Sequence, residues 1–316
     1  MELLEARLAV LSERFARAGL KITAAKAINY GRQLKVADGE NAVTVNIYSG
    51  KKGISIVVGG SQSPLKETVT AITQGQIPVV PAAGADKPSA PSGRPPGFEA
   101  VRDFDHKWIG LDESGKGDFF GPLVIAAVLV DDQSAARLAA AGVKDSKALS
   151  DEKNRTLAAR IREECSGKFV ELAWMPAEYN ATYSQFCNAG QNLNHLLAFS
   201  HAQALESLLT REPAKFALAD QFAHERFIQA ELLEKGRTIT LVQMHKAERN
   251  VAVAAASILA RDRFLASMAV LAARYGMSFP KGAVQVVPVA REFAARYGKD
   301  ALPQVCKVHF KTFEQI

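Results

Sequence analysis

The stretch WIGLDESGKGDFFGPLVIAAVLV, Trp108–Val130, places charged residues between two apolar runs. The runs Trp108–Leu111 and Leu123–Val130 have the composition of buried β-strands. Two adjacent carboxylates, Asp112 and Glu113, follow the first run, and a turn rich in glycine comes next. Because active sites of α/β proteins lie where strands end, this segment predicts a site at the edge of a sheet.

Downstream of this segment, predicted strands and helices alternate. Phe216–Leu218 is a short strand that runs into Asp220, and Thr238–Val242 is another strand. A long helix is predicted from Glu248 to Tyr275, with many small residues that allow close packing on a sheet. The pattern is typical of an α/β domain in which helices flank a central mixed sheet.

Upstream, the first part of the chain predicts a small α+β unit. Glu2–Ala18 has apolar residues at helical spacing, and Leu65–Gln74 is a second helix. Between them, NAVTVNIYSG and GISIVVGG alternate like strands, with Lys51-Lys52-Gly53 as the hairpin turn.

A segment dense in Pro, Gly, Ala and Ser, PAAGADKPSAPSGRPPGFEA, separates the two units. It has almost no apolar side chain to bury, so we expect it to be extended and mobile. The expected division is an N-terminal domain over residues 1–81, a flexible linker over 82–103 and the α/β domain over 104–316.

Composition and charge narrow the class of protein. The net charge is +6, and the first 100 residues hold 12 Lys and Arg against 8 Asp and Glu, which favours an anionic partner such as nucleic acid. Three widely spaced cysteines argue against a disulfide scaffold or a zinc site. The absence of a long apolar run and of a signal-peptide pattern leads us to expect no membrane partner and a cytoplasmic location.

Four carboxylates fall at positions that can converge. Asp112 and Glu113 end one strand, Asp220 ends another, and Glu248 opens the predicted long helix. Grouped carboxylates without a Cys or His cluster favour Mg²⁺ or Mn²⁺. Two such ions would stabilise the attacking and leaving oxygens of a phosphoryl displacement.

A phosphate-binding loop is the competing interpretation of the same turn. Gly110 to Gly117 nearly matches GxxxxGK[ST], but Gly117 stands where the Mg²⁺-binding Ser or Thr belongs. Two carboxylates inside the loop would also repel a triphosphate, so we set a nucleotide hydrolase aside.

Several motifs, taken together, resemble the type 2 ribonucleases H, and ribonuclease HIII most of all. The motifs are DESGKGDFFGP (112–122), KDSK (144–147), ADQF (219–222), HKAERNVAVAAASILAR (245–261) and CKVHFK (306–311). Ribonuclease HII typically has Gly-Arg-Gly in the turn and Asp as its fourth carboxylate, whereas this chain has Gly115-Lys116-Gly117 and Glu248. The first 80 or so residues resemble the TATA-binding-protein-like module of ribonuclease HIII in size, element order and position.

The resemblance implies an endonuclease that cleaves the RNA strand of an RNA/DNA hybrid, leaving 5′-phosphate and 3′-hydroxyl ends. It implies Asp112, Glu113, Asp220 and Glu248 as catalytic, metal-binding residues for two divalent ions. The implied substrate contacts are the following residues: Ser114, Gly115, Lys116, Gly117, Lys144, Ser146 and Lys147. Glycines let the backbone approach a ribose closely, and the 2′-OH distinguishes RNA from DNA.

Two other functions stay open from the sequence. One is incision at a single embedded ribonucleotide, as in ribonuclease HII, and the other is nucleic-acid binding without catalysis. The N-terminal module would add affinity for the hybrid through its sheet and basic turns. We expect a monomer.

Overall fold

The computed structural model describes residues 2–38, 41–50, 53–59, 64–73, 94–222 and 226–316. It divides into two compact units, Met1–Ser89 and Ala90–Ile316, and the division falls inside the predicted linker. Within the described residues, we find no helix with the length and apolar character needed to cross a membrane.

The first unit packs two helices on one face of a four-stranded antiparallel sheet of order β1-β2-β3-β4. Its elements are α1 (Glu2–Arg17), β1 (Lys21–Ile28), β2 (Gly31–Ala37), β3 (Ala42–Gly50), β4 (Gly53–Gly59) and α2 (Pro64–Thr73). The two predicted helices and the strands β3 and β4 are confirmed, whereas β1 and β2 were not predicted. Lys51 and Lys52 of the predicted turn lie outside the described residues.

The second unit begins with a segment that the sequence had assigned to the linker. Phe98 is fully buried, and its ring stacks on Phe104 with the centroids 4.7 Å apart. The carbonyl of Pro96 accepts a hydrogen bond of 2.8 Å from the Asn250 side chain. The predicted mobile linker is therefore wrong over residues 94–103, because Phe98 supplies the apolar surface that a linker lacks.

The second unit is built on a five-stranded mixed sheet of order β7-β6-β5-β8-β9. Its strands are β5 (Lys107–Ser114), β6 (Leu123–Asp131), β7 (Phe169–Trp174), β8 (Phe216–Asp220) and β9 (Thr240–Met244). Strand β6 pairs antiparallel with both β5 and β7. Strand β8 pairs parallel with both β5 and β9. The predicted α/β fold with a mixed central sheet flanked by helices is confirmed.

Helices cover both faces of this sheet. The helices are α3 (Asp132–Ala140), α4 (Asp151–Glu164), α5 (Pro176–Asn188), α6 (Leu193–Arg211), α7 (Arg226–Glu231), α8 (Val251–Tyr275) and α9 (Val287–Tyr297). Alternate residues of β6 serve the two faces: Val124 and Ala126 belong to the core that contains α8, whereas Leu123 and Ile125 belong to the core that contains α6.

Candidate active site

The two adjacent carboxylates of β5 point to opposite faces of the sheet. Side chains alternate along a strand, so Asp112 shares the face of Gly110, and Glu113 the face of Leu111. A Cβ on Gly110 would lie 2.2 Å from the carbonyl carbon of Ala252, so this face lies directly against α8. Leu111 belongs to the core that contains α6. Strand β5 runs to Ser114 rather than to Leu111, and both acids are therefore held in a regular ladder.

Asp112 is partly buried against α8. Its Oδ1 accepts a hydrogen bond of 2.8 Å from the backbone N–H of Glu113, and its carboxyl group shares a further hydrogen bond with the Ser257 side chain of α8. Burial, followed by the negative charges of Glu113 and Asp220, raises the pKa of Asp112 to about 8. A neighbouring cation would stabilise the charged form of a carboxyl whose pKa is raised in this way.

Glu113 has positively polarised partners on both of its oxygens. His201 Nε2 on α6 lies 3.1 Å from Oε2, and the Lys116 ammonium lies 3.6 Å from Oε1. Burial on its own would raise the pKa of Glu113, but the His201 hydrogen bond and the Lys116 charge hold it below its ordinary value. The adjacent carboxylates therefore have opposite electrostatic environments.

Asp220 is the last residue of β8, which pairs in parallel with β5. The two strands therefore end at the same edge of the sheet. Asp220 Oδ1 accepts a hydrogen bond of 3.1 Å from the backbone N–H of Ala247. This bond connects the end of β8 to the turn that carries Glu248.

The sequence predicted that Glu248 opens the long helix, and this prediction is wrong. Glu248 lies in a separate 3₁₀-helix, Ala247–Arg249, and is partly exposed. Asn250 is the N-cap of α8, where its side chain accepts a hydrogen bond from the N–H of Ala252 over 3.0 Å. Asn is a strong N-cap residue, and its extended backbone separates Glu248 from the α-helix.

An open cavity of about 680 Å³ lies at this edge of the sheet. Its lining includes three of the four predicted carboxylates: Asp112, Glu113 and Asp220. It also includes six predicted substrate contacts: Ser114, Gly115, Lys116, Gly117, Ser146 and Lys147. Glu248 and Lys144 do not line it. As the side chains stand in the described residues, no three His, Cys, Asp or Glu groups are close enough together to hold a metal ion.

The glycine-rich turn is shaped by its surroundings. Gly115 has a φ of +88°, and a Cβ there would lie 2.1 Å from the carbonyl oxygen of Pro122. Gly117 faces open space, where a Cβ would meet nothing within 4 Å. Phe119 and Phe120, at the end of the turn, are fully buried.

Charged and polar groups that the sequence did not single out complete the cavity. Arg261 and Lys281 both line it, and both bind Asp151, at 2.6 Å and 2.9 Å. Ser257 accepts or donates a hydrogen bond of 2.7 Å with Ser146. Arg261 follows Ser257 by four residues on α8, so helical periodicity could have identified it. Lys281 lies in an irregular stretch that carries no such signal.

The chain matches known proteins over the same region. The family model for ribonuclease HII matches residues 109–313. Ribonuclease HIII of Protochlamydia amoebophila is 43% identical over 209 residues, which cover 66% of this chain and 67% of that protein. Ribonuclease HIII of Chlamydia muridarum is 45% identical over 212 residues, covering 66% and 68%. The chain belongs to the ribonuclease HIII family.

The likeness to one solved structure extends over both units. The crystal structure of Bst-RNase HIII in complex with Mn²⁺ superposes with a TM-score of 0.62 at 27% identity, covering 98% of this chain and 94% of that one. The ribonuclease H2 of Pyrococcus horikoshii OT3 has a TM-score of 0.56 at 28% identity and covers 66% of this chain.

As a member of this family, the protein is an endoribonuclease of the ribonuclease H type that degrades RNA in RNA/DNA hybrids. This confirms the activity and the family that the sequence motifs predicted. Sequence reasoning also missed His201, whose ring contacts Glu113.

Proposed function

We propose that Asp112, Glu113, Asp220 and Glu248 perform this cleavage with two bound divalent ions, Mg²⁺ or Mn²⁺. The observation that carries the proposal is the placement of Asp112, Glu113 and Asp220 in one open cavity at the end of paired strands. The reaction leaves a 5′-phosphate and a 3′-hydroxyl.

The donor set fits such ions. All four side chains offer carboxylate oxygens, which hard divalent cations prefer. Repulsion from Glu113 and Asp220, added to burial, raises the pKa of Asp112, and a bound cation would relieve it. When bound, two such ions supply charge stabilisation for the attacking and leaving oxygens.

The protein's own groups orient the carboxylates. The N–H of Glu113 and the Ser257 hydroxyl hold Asp112, while the N–H of Ala247 holds Asp220. The backbone N–H of Ala247 is hydrogen-bonded to Asp220, and Glu248 is the next residue along the chain. The backbone of Glu248 is therefore one residue away from a group that contacts the site. Completing the set requires the partly exposed Glu248 side chain to turn toward the cavity, which it does not line.

The glycine-rich turn and the basic residues that line the cavity bind the hybrid. Gly117 has open space above its backbone, which allows a ribose and its 2′-OH to approach the main chain. Lys116 and Lys147 line the cavity as phosphate contacts. Ser146 and Lys144 belong to the same predicted motif, with Ser146 buried beside Ser257 and Lys144 exposed.

The first unit adds binding energy as a TATA-binding-protein-like module. The sheet face opposite its helices presents Gln33, Lys35 and Asn46, with Gln33 and Asn46 hydrogen-bonded at 2.6 Å. This face is polar because the alternate residues of β2 and β3 form the buried core. We also expect a cytoplasmic monomer.

One cleavage assay tests the site and the substrate. We expect Asp112→Asn and Asp220→Asn to lower the rate on a continuous RNA/DNA hybrid by about 1,000-fold or more, while folding is retained. Asp300→Asn, an exposed acid outside the cavity, is the matched control. Near wild-type turnover in either variant would contradict the assignment.

The same assay separates the alternative activity. Continuous hybrid, a duplex with one embedded ribonucleotide, and an RNA duplex are compared in Mg²⁺ and in Mn²⁺. Stronger incision of the single-ribonucleotide duplex would favour specificity of the ribonuclease HII type. Inactivity on every substrate in both metals would favour a binding protein without catalysis.

A further inference from the structure

His201 is buried on the side of the sheet opposite α8. It lies on α6, and its side chain is 1% exposed. Its Nε2 is 3.1 Å from Glu113 Oε2, and its Nδ1 is buried without a hydrogen-bond partner. A buried imidazole with one partnered nitrogen carries its proton on that nitrogen, because a carboxylate only accepts. His201 therefore donates to Glu113 through Nε2–H.

This hydrogen bond fixes the orientation of the Glu113 side chain from the α6 side of the sheet. Glu113 faces α6 because it alternates with Asp112 along β5. His201 occupies Oε2, and the Lys116 ammonium lies 3.6 Å from Oε1. Lys116 lines the cavity, so Oε1 is the oxygen on the cavity side and Oε2 the one tied to the helix. The carboxylate thus has a defined orientation.

The same imidazole contacts the segment that follows β8, the strand that ends at Asp220. Its ring stacks on Phe222, with centroids 5.1 Å apart and an interplanar angle of 23°. Phe222 follows Asp220 by two residues, and its N–H donates to the Asp220 carbonyl over 3.1 Å. The Lys116 ammonium lies 5.8 Å from the centre of the Phe222 ring. Helix α6 is therefore linked through one side chain to the ends of both β5 and β8.

We propose that His201 is a positioning residue for hybrid cleavage. Its Nε2–H fixes the Glu113 carboxylate so that Oε1 is presented to the cavity, and its ring supports the segment that follows Asp220. The proposal rests on the proposed function, in which Glu113 is a metal-binding residue. Groups that orient metal-binding carboxylates by hydrogen bonds change metal affinity or activity by about 10- to 100-fold when replaced.

Two replacements separate the hydrogen bond from packing. His201→Gln keeps an N–H at the position of Nε2 but loses the ring, whereas His201→Phe keeps the stacking ring but loses the donor. We expect kcat of the Phe variant to fall about 10- to 100-fold with little change in KM, and the Gln variant to retain most of the activity. His201→Asn, whose amide stands at the position of Nδ1, is a second variant without the donor.

A binding measurement gives a readout that is independent of turnover. Mn²⁺ affinity is measured by electron paramagnetic resonance without substrate, and we expect the Phe and Asn variants to bind it about tenfold or more weakly than the Gln variant. Ser200→Ala is the structural control: Ser200 is buried on the same helix and donates only to the Leu196 carbonyl. It should lower Tm without changing kcat or Mn²⁺ affinity.

The outcomes distinguish a failure of this proposal from a failure of the proposed function on which it rests. Wild-type kcat and Mn²⁺ affinity in both the Phe and the Asn variants, or losses in the Gln variant as large as in the Phe variant, would overturn the positioning role. Glu113→Gln is assayed in parallel. If Glu113→Gln is inactive and His201→Phe is normal, only the inference about His201 fails; if Glu113→Gln is fully active, the proposed function fails.

Discussion

The carboxylate of Asp118 accepts a hydrogen bond of 2.6 Å from the backbone N–H of Gly282. A second bond of 2.8 Å runs from the N–H of Phe119 to the Gly282 carbonyl. On the inner side, the buried Lys307 ammonium donates to the carbonyls of Asp118 and Gly121. The glycine-rich turn is therefore held both by the Lys281–Gly282 segment and by the C-terminal motif.

Asp118→Ala should loosen the segment that carries Lys281. Loss of a hydrogen bond to a charged acceptor is expected to lower the free energy of unfolding by about 1.5–3 kcal/mol. We also expect a higher KM for hybrid, because Lys281 lines the cavity. Urea unfolding and steady-state kinetics measure the two effects, with Asp300→Ala as the exposed control. Unchanged stability and KM would rule out this role for Asp118.

Asp151 predicts a pH-dependent effect on stability. Hydrogen bonds from Lys281 and Arg261 hold the pKa of Asp151 below its ordinary value of 3.8. A depressed carboxyl pKa adds stability above the unfolded pKa, and this is lost as the pH falls through the folded value. Asp151→Asn should therefore destabilise the protein at neutral pH, by about 1 kcal/mol or less because the pair is solvent-exposed. Urea unfolding across pH would show the difference vanishing in acid; a constant difference would contradict it.

Gly115 and Gly117 form a matched pair for testing the turn. Gly115→Ala combines a positive φ with a clash against Pro122, and we expect it to lower the free energy of unfolding by about 1–3 kcal/mol or more. Gly117→Ala has room for its methyl group, so we expect normal stability but a higher KM for hybrid. Thermal unfolding and kinetics distinguish them. Equal stability of the two variants would contradict the turn geometry.

Metal binding should depend on pH through Asp112. The raised pKa of about 8 means that the carboxyl is protonated below that pH until a cation displaces the proton. Mn²⁺ affinity is therefore expected to fall as the pH decreases below about 8, with proton release on binding measurable by calorimetry in two buffers. At about 100 times its Kd, Mn²⁺ should stabilise the fold by about 2.7 kcal/mol, and chelation should remove this gain. Affinity independent of pH would be inconsistent with Asp112 as a ligand.

Removal of residues 1–89 should weaken hybrid binding more than it slows turnover at saturating substrate. The cut keeps Phe98, which belongs to the core of the second unit. Loss of the basic first unit should also reduce the salt dependence of Kd. Filter binding at several salt concentrations provides the measurement, and an unchanged affinity would exclude a substrate-binding role for this unit.

Strands with a clear hydrophobic pattern were predicted correctly. Strands β5, β6 and β8 are apolar runs that end at turns or acids, so their presence follows from the sequence, although β5 continues three residues beyond its predicted end at Leu111. Strand β1 was missed because KITAAKAI is alanine-rich and mostly exposed at a sheet edge. The helix boundary at Glu248 was wrong because Asn250 caps the helix two residues later.

The sequence by itself determined the family and the α/β architecture, and its motifs indicated the four carboxylates of the proposed site, because these follow from short motifs and strand periodicity. Only the tertiary structure decided which partner each carboxylate has. Adjacent strand residues point to opposite faces, so Asp112 contacts Ser257 on α8 while Glu113 contacts His201 on α6. Those partners lie 145 and 88 positions away along the chain, and only the packing of two helices on one sheet brings them together.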